Sequence, residues 1–267
     1  LGGFGLTEPE GGSDAAGTRT RARFDPATDE WVIDGSKAFI TNSGSTITSL
    51  VTITARTDEP GSDGPPEIST IIVPAGADGF TVSPPYRKMG WHASDTHELA
   101  FADCRVPAGN LLGERGRGYA QFLATLDDGR IALAALAVGV LQSCLEESVA
   151  YAKERNAFGG PIARFQAVSF KCADMQAMLD AARLLTYQAA ALKDAGRPFK
   201  EAAAVAKLVA TESAVTATRM ATQIFGGAGF MDTTLVARHY RDAKILEIGE
   251  GTSEVQRLVI ARSLGLG

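Results

Sequence analysis

The residues best suited to chemistry lie in the run RDAKILEIGEGTSEVQ, from Arg241 to Gln256. Ile245 and Ile248, with Ala243 and Leu246 beside them, follow helical spacing. Gly249-Glu250-Gly251-Thr252 interrupts that spacing, and Val255, Leu258, Val259 and Ile260 resume it. Glu250 is therefore expected in a tight turn between two helices. Its glycine neighbours leave little bulk around it, so the backbone can approach a ligand and the carboxylate can swing toward it. Thr252 suits the N-cap of the last helix, whose terminal dipole favours a polar or anionic partner. By itself the pattern also fits a plain interhelical turn with a solvated Glu.

Other stretches pair a chemical reading with a bland one. The segment from Phe4 to Asp14 packs Thr7, Gly11, Gly12 and Ser13 into one short span, which can offer N–H groups and hydroxyls to an electron-rich ligand or simply be an irregular loop. Phe39-Ile40-Thr41-Asn42 can lay an aromatic on a planar ring and present a hydroxyl to its edge, or can be a strand end. Arg155 with Phe158 sets a cation and an aromatic at a helix end, where a guanidinium fork suits a pyrophosphate or is merely solvated. The run from Gln223 to Phe230 ends a helix in three glycines, fit for a flat ligand or a simple C-cap. Asp127 and Arg130 share one helix face and form either an ion pair or a ligand clamp. His92, His97 and His239 show no metal-ligand spacing, so no metal site is expected.

The elements that must position these groups fall into two classes. Alternation over 18–24, 30–33, 50–54, 68–73 and 98–106 gives short strands, with turn chemistry at Asp25-Pro26, Asp34-Gly35, 61–66 and Pro84-Pro85. An antiparallel sheet or small barrel is expected over 1–115. Beyond it, Ala, Leu, Gln, Glu and Lys dominate, and helices are expected at 117–155, 165–195, 199–225, 234–248 and 252–264. The resulting fold class is α+β, an antiparallel β-barrel-like domain (1–115) followed by an antiparallel four-helix bundle (116–267).

The 267 residues carry 45% hydrophobic and 21% charged side chains, enough apolar material for one large or two modest domains. A net charge of −5 without any basic run argues against a nucleic-acid surface. Cys104, Cys144 and Cys172 are scattered, which fits a reducing cytoplasm better than a disulfide framework. The most apolar run, 131–141, is too short to span a bilayer, and residues 1–10 lack the basic region of a signal peptide. The start at Leu1 without Met suggests a mature product or a fragment.

Taken in order, FGLTEPEGGSD, GSKAFITNSG, KMGWHASDTHELAFADCRVP, ERNAFGGPI with Gln166, QIFGGAGF and RDAKILEIGEGTSEVQR resemble the acyl-CoA dehydrogenase family across essentially the whole chain. The resemblance implies the family's middle β-domain and C-terminal four-helix bundle, without its N-terminal helical domain. It implies FAD contacts from Phe4, Leu6, Thr7, Gly12 and Ser13, with Phe39, Ile40 and Thr41 flanking the isoalloxazine. Phe39 stands where the family usually has Trp. Arg155, Phe158, Gln166 and Gln223, Ile224, Phe225, Gly226 and Gly227 would hold the adenosine diphosphate half of FAD, typically across a subunit boundary, which implies an oligomer, a homotetramer. Thr252 and Glu254 match a further FAD contact, and Ser13, Asp127, Arg130 and Gly251 fall on the substrate side.

Glu250 matches the family's base. It would take the α-proton of an acyl-CoA thioester while the flavin accepts the β-hydride, giving a trans-2-enoyl-CoA, with an electron-transferring flavoprotein as acceptor. Some branches carry the base on the first long helix, but Asp127-Asp128-Gly129-Arg130 offers no Glu there. Gly249 replaces a frequent Tyr, which implies room for a short or branched acyl group. An acyl-CoA oxidase, or a non-catalytic subunit lacking the N-terminal domain, are the other readings.

Overall fold

The computed structural model describes residues 1–59 and 65–266; of the turn expected over 61–66, residues 61–64 lie outside the described residues. The chain divides into two compact units, Leu1–Lys88 with His92–Thr125, and Met89–Trp91 with Leu126–Gly267. The division falls inside a continuous helix.

The first unit is built on a seven-stranded sheet. Its strands are β1 (Gly2–Gly5), β2 (Arg21–Asp25), β3 (Glu30–Thr41), β4 (Leu50–Arg56), β5 (Ile68–Pro74), β6 (Phe80–Val82) and β7 (Thr96–Pro107). The order is β1-β4-β2-β3-β7-β6, with β5 also paired to β4. The sheet is mixed, which corrects the expected antiparallel one: β1 and β2 both run parallel to β4. The reason lies in the connection. Hairpin β2–β3 is inserted between β1 and β4, so the chain returns to β1 travelling the same way, as a crossover allows and a tight hairpin forbids. β4 accordingly reads as a nearly continuous buried run, Val51, Ile53, Thr54 and Ala55, without the clean alternation of a one-sided strand. Val51, Ile53, Ile71, Val73, Leu99 and Phe101 form its core with Trp31 and Ile33.

The second unit is helical: α1 (Gly118–Glu154, entering it at Leu126), α2 (Gln166–Asp194), α3 (Lys200–Phe225), α4 (Leu235–Ala243) and α5 (Ser253–Ser263). The long helices begin and end within a residue of the expected bounds. The fourth is shorter, because residues Lys244–Glu247 tighten into a 3-10 turn ahead of Gly249. α3 presents a stripe of Ala206, Ala210, Ala214, Ala217 and Ala221, all fully buried. Alanine favours the helix and lets larger neighbours such as Leu141, Met175 and Leu179 approach its backbone closely. α3 stops where Gly226 takes a left-handed φ of 59° as its C-cap. A two-stranded hairpin, β8 (Asn156–Ala157) with β9 (Gly160–Pro161), joins α1 to α2.

α1 is long and apolar enough to cross a membrane by length and composition, which corrects the expectation drawn from its shorter run. Its Ala134, Ala137, Leu141 and Cys144 are nonetheless packed in the helical core. The short segment Met89–Trp91 belongs with the helices, the Trp91 N–H donating to Asp242 Oδ1 at 2.6 Å.

Candidate active site

Glu250 lies in the turn between the 3-10 segment and α5. The N–H groups of Ile248 and Gly249 donate to the Ile245 carbonyl at 3.0 and 2.8 Å, closing the preceding helical turn. The chain then reverses through two left-handed residues, Glu250 (φ 56°) and Gly251 (φ 88°). Thr252 caps α5, its Oγ1 accepting from the Val255 N–H at 3.3 Å, as its position predicts.

A non-glycine residue in this region costs about 1–3 kcal/mol and persists only where its surroundings fix it. Here three side chains do so. Gln256, fully buried, donates from Nε2 to the Glu250 carbonyl at 3.2 Å and the Gly251 carbonyl at 2.8 Å. Lys207, also fully buried, donates to the Gly251 carbonyl at 2.8 Å. Arg130 Nε reaches the Glu250 carbonyl at 3.5 Å. With both carbonyls drawn onto α1, α3 and α5, the orientation of the peptide carrying the carboxylate is set.

Burial of the Glu250 carboxyl raises its pKa above the usual carboxylate value, against the lowering pull of the Arg130 and Lys207 charges. A base in this state holds a proton more strongly than a solvated carboxylate does. Arg130 is only 4% exposed and paired with Asp127 at 2.5 Å. The ion pair read from the spacing is therefore formed, and its guanidinium also faces the Glu250 turn. Burial, the largest influence on Asp127, raises its carboxyl despite that partner.

Space for the Glu250 carboxylate comes from Gly129. A Cβ built there would collide with Oε2 and lie 2.9 Å from Cδ. Gly129→Ala is therefore expected to displace the carboxylate and lower the rate of any proton transfer it performs by about 10- to 100-fold, since a shift near 1 Å can cost that much. Unchanged turnover with an unmoved Glu250 in the variant's crystal structure would refute this.

In the sheet unit a second set of groups surrounds the loop after β1. The Glu8 carboxylate accepts from the N–H groups of Arg19 (2.7 Å) and Thr20 (3.0 Å) and from Lys37 Nζ (2.8 Å). Lys37, wholly buried, also donates to the Leu6 carbonyl and to Thr54 Oγ1. Burial works to raise the Glu8 carboxyl, but the Lys37 charge and these donors hold it below the usual value. The loop is thus anchored from beneath while Gly12 and Ser13 stay exposed on it.

Phe39 owes its position to a bulge. Between the pairs Lys37–Leu99 and Ile40–His97, two β3 residues oppose one of β7, and Phe39 takes a φ of 61°. Its ring is turned out, 64% exposed and 5.1 Å from Tyr86, with Thr41 exposed beyond it. The following turn is held by Asp95, whose carboxylate accepts from the N–H groups of Asn42 and Gly44. Ile40 points the other way, into the sheet core, so only its backbone is left for a ligand. Phe4 stacks on Phe122 at 4.0 Å, Leu6 is buried, and the Thr7 carbonyl accepts from the Ala38 N–H.

The remaining candidates lie on the helical unit. Arg155, Phe158 and Gln166 are exposed, Phe158 at 91%. Gln223, Gly226 and Gly227 are exposed at the end of α3, with open space at both glycines, whereas Ile224 is buried and Phe225 stacks on Tyr151 at 4.1 Å. Glu254 is exposed in the first turn of α5.

Sequence reasoning passed over Lys207, Gln256, Glu8, Lys37 and Asp95. Lys207 had a signal, a lysine on the same face as an alanine stripe. Glu8, Lys37 and Asp95 had none, because their pairing joins positions 29 and 53 residues apart.

The sheet unit turns an exposed aromatic and a glycine-rich loop outward; the helical unit keeps, in a left-handed turn, a carboxylate whose pKa burial raises. Family models for the acyl-CoA dehydrogenase middle domain and C-terminal domain match residues 3–104 and 116–265. The chain belongs to the acyl-CoA dehydrogenase family, whose members are oxidoreductases that bind FAD. It is 53% identical to the probable acyl-CoA dehydrogenase YngJ of Bacillus subtilis (strain 168), over 99% of this chain and 68% of that protein. Butyryl-CoA dehydrogenase from Megasphaera elsdenii matches with a TM-score of 0.93 and 45% identity, over 99% of this chain and 68% of that one. A chain in the structure described as the electron transferring flavoprotein of Acidaminococcus fermentans matches with a TM-score of 0.93 and 44% identity over the same shares. The chain thus spans about two thirds of the length of these relatives.

Proposed function

We propose that this protein catalyses the FAD-dependent α,β-dehydrogenation of a short or branched acyl-CoA thioester to a trans-2-enoyl-CoA, with Glu250 as the base. The observation that carries this reading is the Glu250 carboxylate itself, kept in a strained turn, raised in pKa by burial and given room by Gly129. An α-proton of a thioester is far more weakly acidic than a free carboxylic acid. Raising the proton affinity of the base narrows that gap from the protein's side. In the resting state the Arg130 and Lys207 charges oppose burial and favour the ionised form that can accept the proton.

The residues present fit FAD. Phe39, turned out by its bulge, offers a face to a planar ring, and Thr41 a hydroxyl at its edge; Phe4 on β1 and Leu6, Thr7, Gly12 and Ser13 in the loop after it are assigned to the same cofactor. On the helical unit Arg155, Phe158, Gln166 and Gln223 to Gly227 are assigned to its adenosine diphosphate half, and Thr252 with Glu254 to a further contact. FAD, when bound, supplies the acceptor for the β-hydride. Asp127, Arg130, Ser13 and Gly251 are assigned to the acyl-CoA side. Residues 1–115 are read as the family's middle domain and 116–267 as its C-terminal four-helix bundle. A homotetramer, a cytoplasmic location and an electron-transferring flavoprotein as acceptor complete the proposal; the three free cysteines and the Acidaminococcus neighbour support the last two.

Anaerobic mixing of the purified yellow protein with butyryl-CoA is expected to bleach the flavin, and a spectrum that does not change would overturn the proposal. The acyl preference has its own test. Within 4 Å a Cβ at Gly249 would meet the Ile245 carbonyl oxygen, at 3.5 Å, an ordinary contact, so a side chain can begin there without a clash. Gly249→Tyr is expected to lower kcat/KM for branched relative to straight acyl-CoA by about 10-fold, the scale of a methylene-sized clash in an apolar pocket. The same preference in wild type and variant would sink the pocket argument.

A further inference from the structure

α3 buries one charged side chain. Among buried alanines on its inward face stands Lys207, with no exposed surface. Its Nζ binds a backbone carbonyl, that of Gly251, at 2.8 Å. A neutral donor would hold a carbonyl with far less desolvation, and Gln256 already donates to the same oxygen at 2.8 Å. What the lysine adds is charge.

The charged groups that face Lys207 are Arg130 from α1, Glu212 along α3, and Glu247 and Glu250 from the segment before α5. Arg130 is compensated by Asp127 at 2.5 Å. Among the described residues the Gly251 carbonyl is the one direct acceptor of the Lys207 ammonium, and the Lys207 charge, after that of Arg130, lowers the Glu250 carboxyl. We propose that Lys207 is a positioning residue for the base: through the Gly251 carbonyl it fixes the left-handed Glu250–Gly251 pair, and through its charge it keeps the Glu250 carboxylate ionised between turnovers. This rests on Glu250 being the base. Burial brings the Lys207 ammonium down to about 8, so it is charged at neutral pH, where the role requires it.

The test compares the pH dependence of flavin reduction by butyryl-CoA in wild type, Lys207→Met and Lys207→Gln. Both variants are expected to move the acid limb, where Glu250 takes up a proton, to higher pH by about one unit, the smaller end of the effect of a nearby opposite charge. Lys207→Gln keeps a donor for the carbonyl and is expected to lose less of the plateau rate than Lys207→Met. Gln256→Leu removes a donor without removing charge, and is expected to slow reduction with the limb unmoved.

A reciprocal arm needs no cofactor and no turnover. In Glu250→Gln, carbon-13 NMR of labelled lysine side chains is expected to show the Lys207 titration shifted to lower pH, because a carboxylate that raised it has gone. Wild-type acid limbs in both Lys207 variants, or an unmoved Lys207 titration in Glu250→Gln, would overturn the inference; if the Lys207 variants do not fold, the second result decides alone. Failure of the wild-type flavin to bleach counts against the proposed function, and the reciprocal titration still tests the coupling.

Discussion

Glu250→Gln is expected to leave the flavin colour intact and to slow anaerobic flavin reduction by butyryl-CoA by about 1,000-fold or more, within the range of a lost general base. The amide has nearly the shape of the carboxylate, and the donors that fix the turn, Gln256, Lys207 and Arg130, bind backbone carbonyls that the substitution leaves in place. Geometry should persist while the proton acceptor is lost, a deficit of about 4 kcal/mol in transition-state stabilisation. The pH profile of the wild type carries the same information. In its proposed role as base Glu250 works only when ionised, and its pKa is raised by burial. Reduction must therefore fade as pH falls through a point above the usual carboxylate range, and the variant must lack that limb. Rapid-mixing spectroscopy across pH checks both, and parental rates in Glu250→Gln would move the base to another residue.

Much of this site was legible because its signals are local. Gly249-Glu250-Gly251-Thr252 reads as a turn and a cap from neighbours alone, and the structure places Thr252 at the N-cap. The long helices were legible for the same reason, since apolar spacing and Gly/Pro breaks act within one segment. The sheet was legible only in part. β7 announces most of its length by alternation, and β4 and β5 by apolar and β-branched runs, whereas β1 is Gly-Gly-Phe-Gly and β6 has three residues, too little side-chain pattern to read. That β1 runs parallel to β4 depends on pairing across 48 residues, which no local pattern encodes. The bulge that exposes Phe39 is likewise a matter of register between β3 and β7. The supports of the two candidate sites, Lys207 under one and Glu8 with Lys37 under the other, are polar residues inside apolar surroundings. Composition places such residues at the surface by default, and only tertiary pairing overrules it.

Lys37→Met is expected to destabilise the sheet unit by about 3–5 kcal/mol, because it strands the Glu8 carboxylate, 6% exposed, without its counter-charge. Glu8→Gln should cost a similar amount by leaving the Lys37 ammonium unpaired where no water reaches it. The pair's acid sensitivity has a definite sign. Glu8 has a folded pKa below its unfolded one, so its contribution is present above the unfolded value near 4.5 and is lost as pH falls through the lower folded value. The double variant Lys37→Met/Glu8→Gln decides whether the pair or the volume matters. It removes both charges together, so it should be less damaged than the sum of the two singles by more than about 1 kcal/mol, as expected for coupled neighbours. Denaturant unfolding of all three variants gives that difference, and strictly additive losses would show that the two side chains act independently. The same variants bear on the glycine-rich loop proposed to contact FAD. Lys37 ties down the Leu6 carbonyl and Glu8 ties down Arg19 and Thr20, so in the double variant the segment carrying Thr7, Gly12 and Ser13 loses the lysine anchor and one of the two acceptors of the carboxylate. FAD retention on gel filtration should therefore fall even where double-variant stability is partly restored, and full retention would separate the anchor from the loop it is argued to hold.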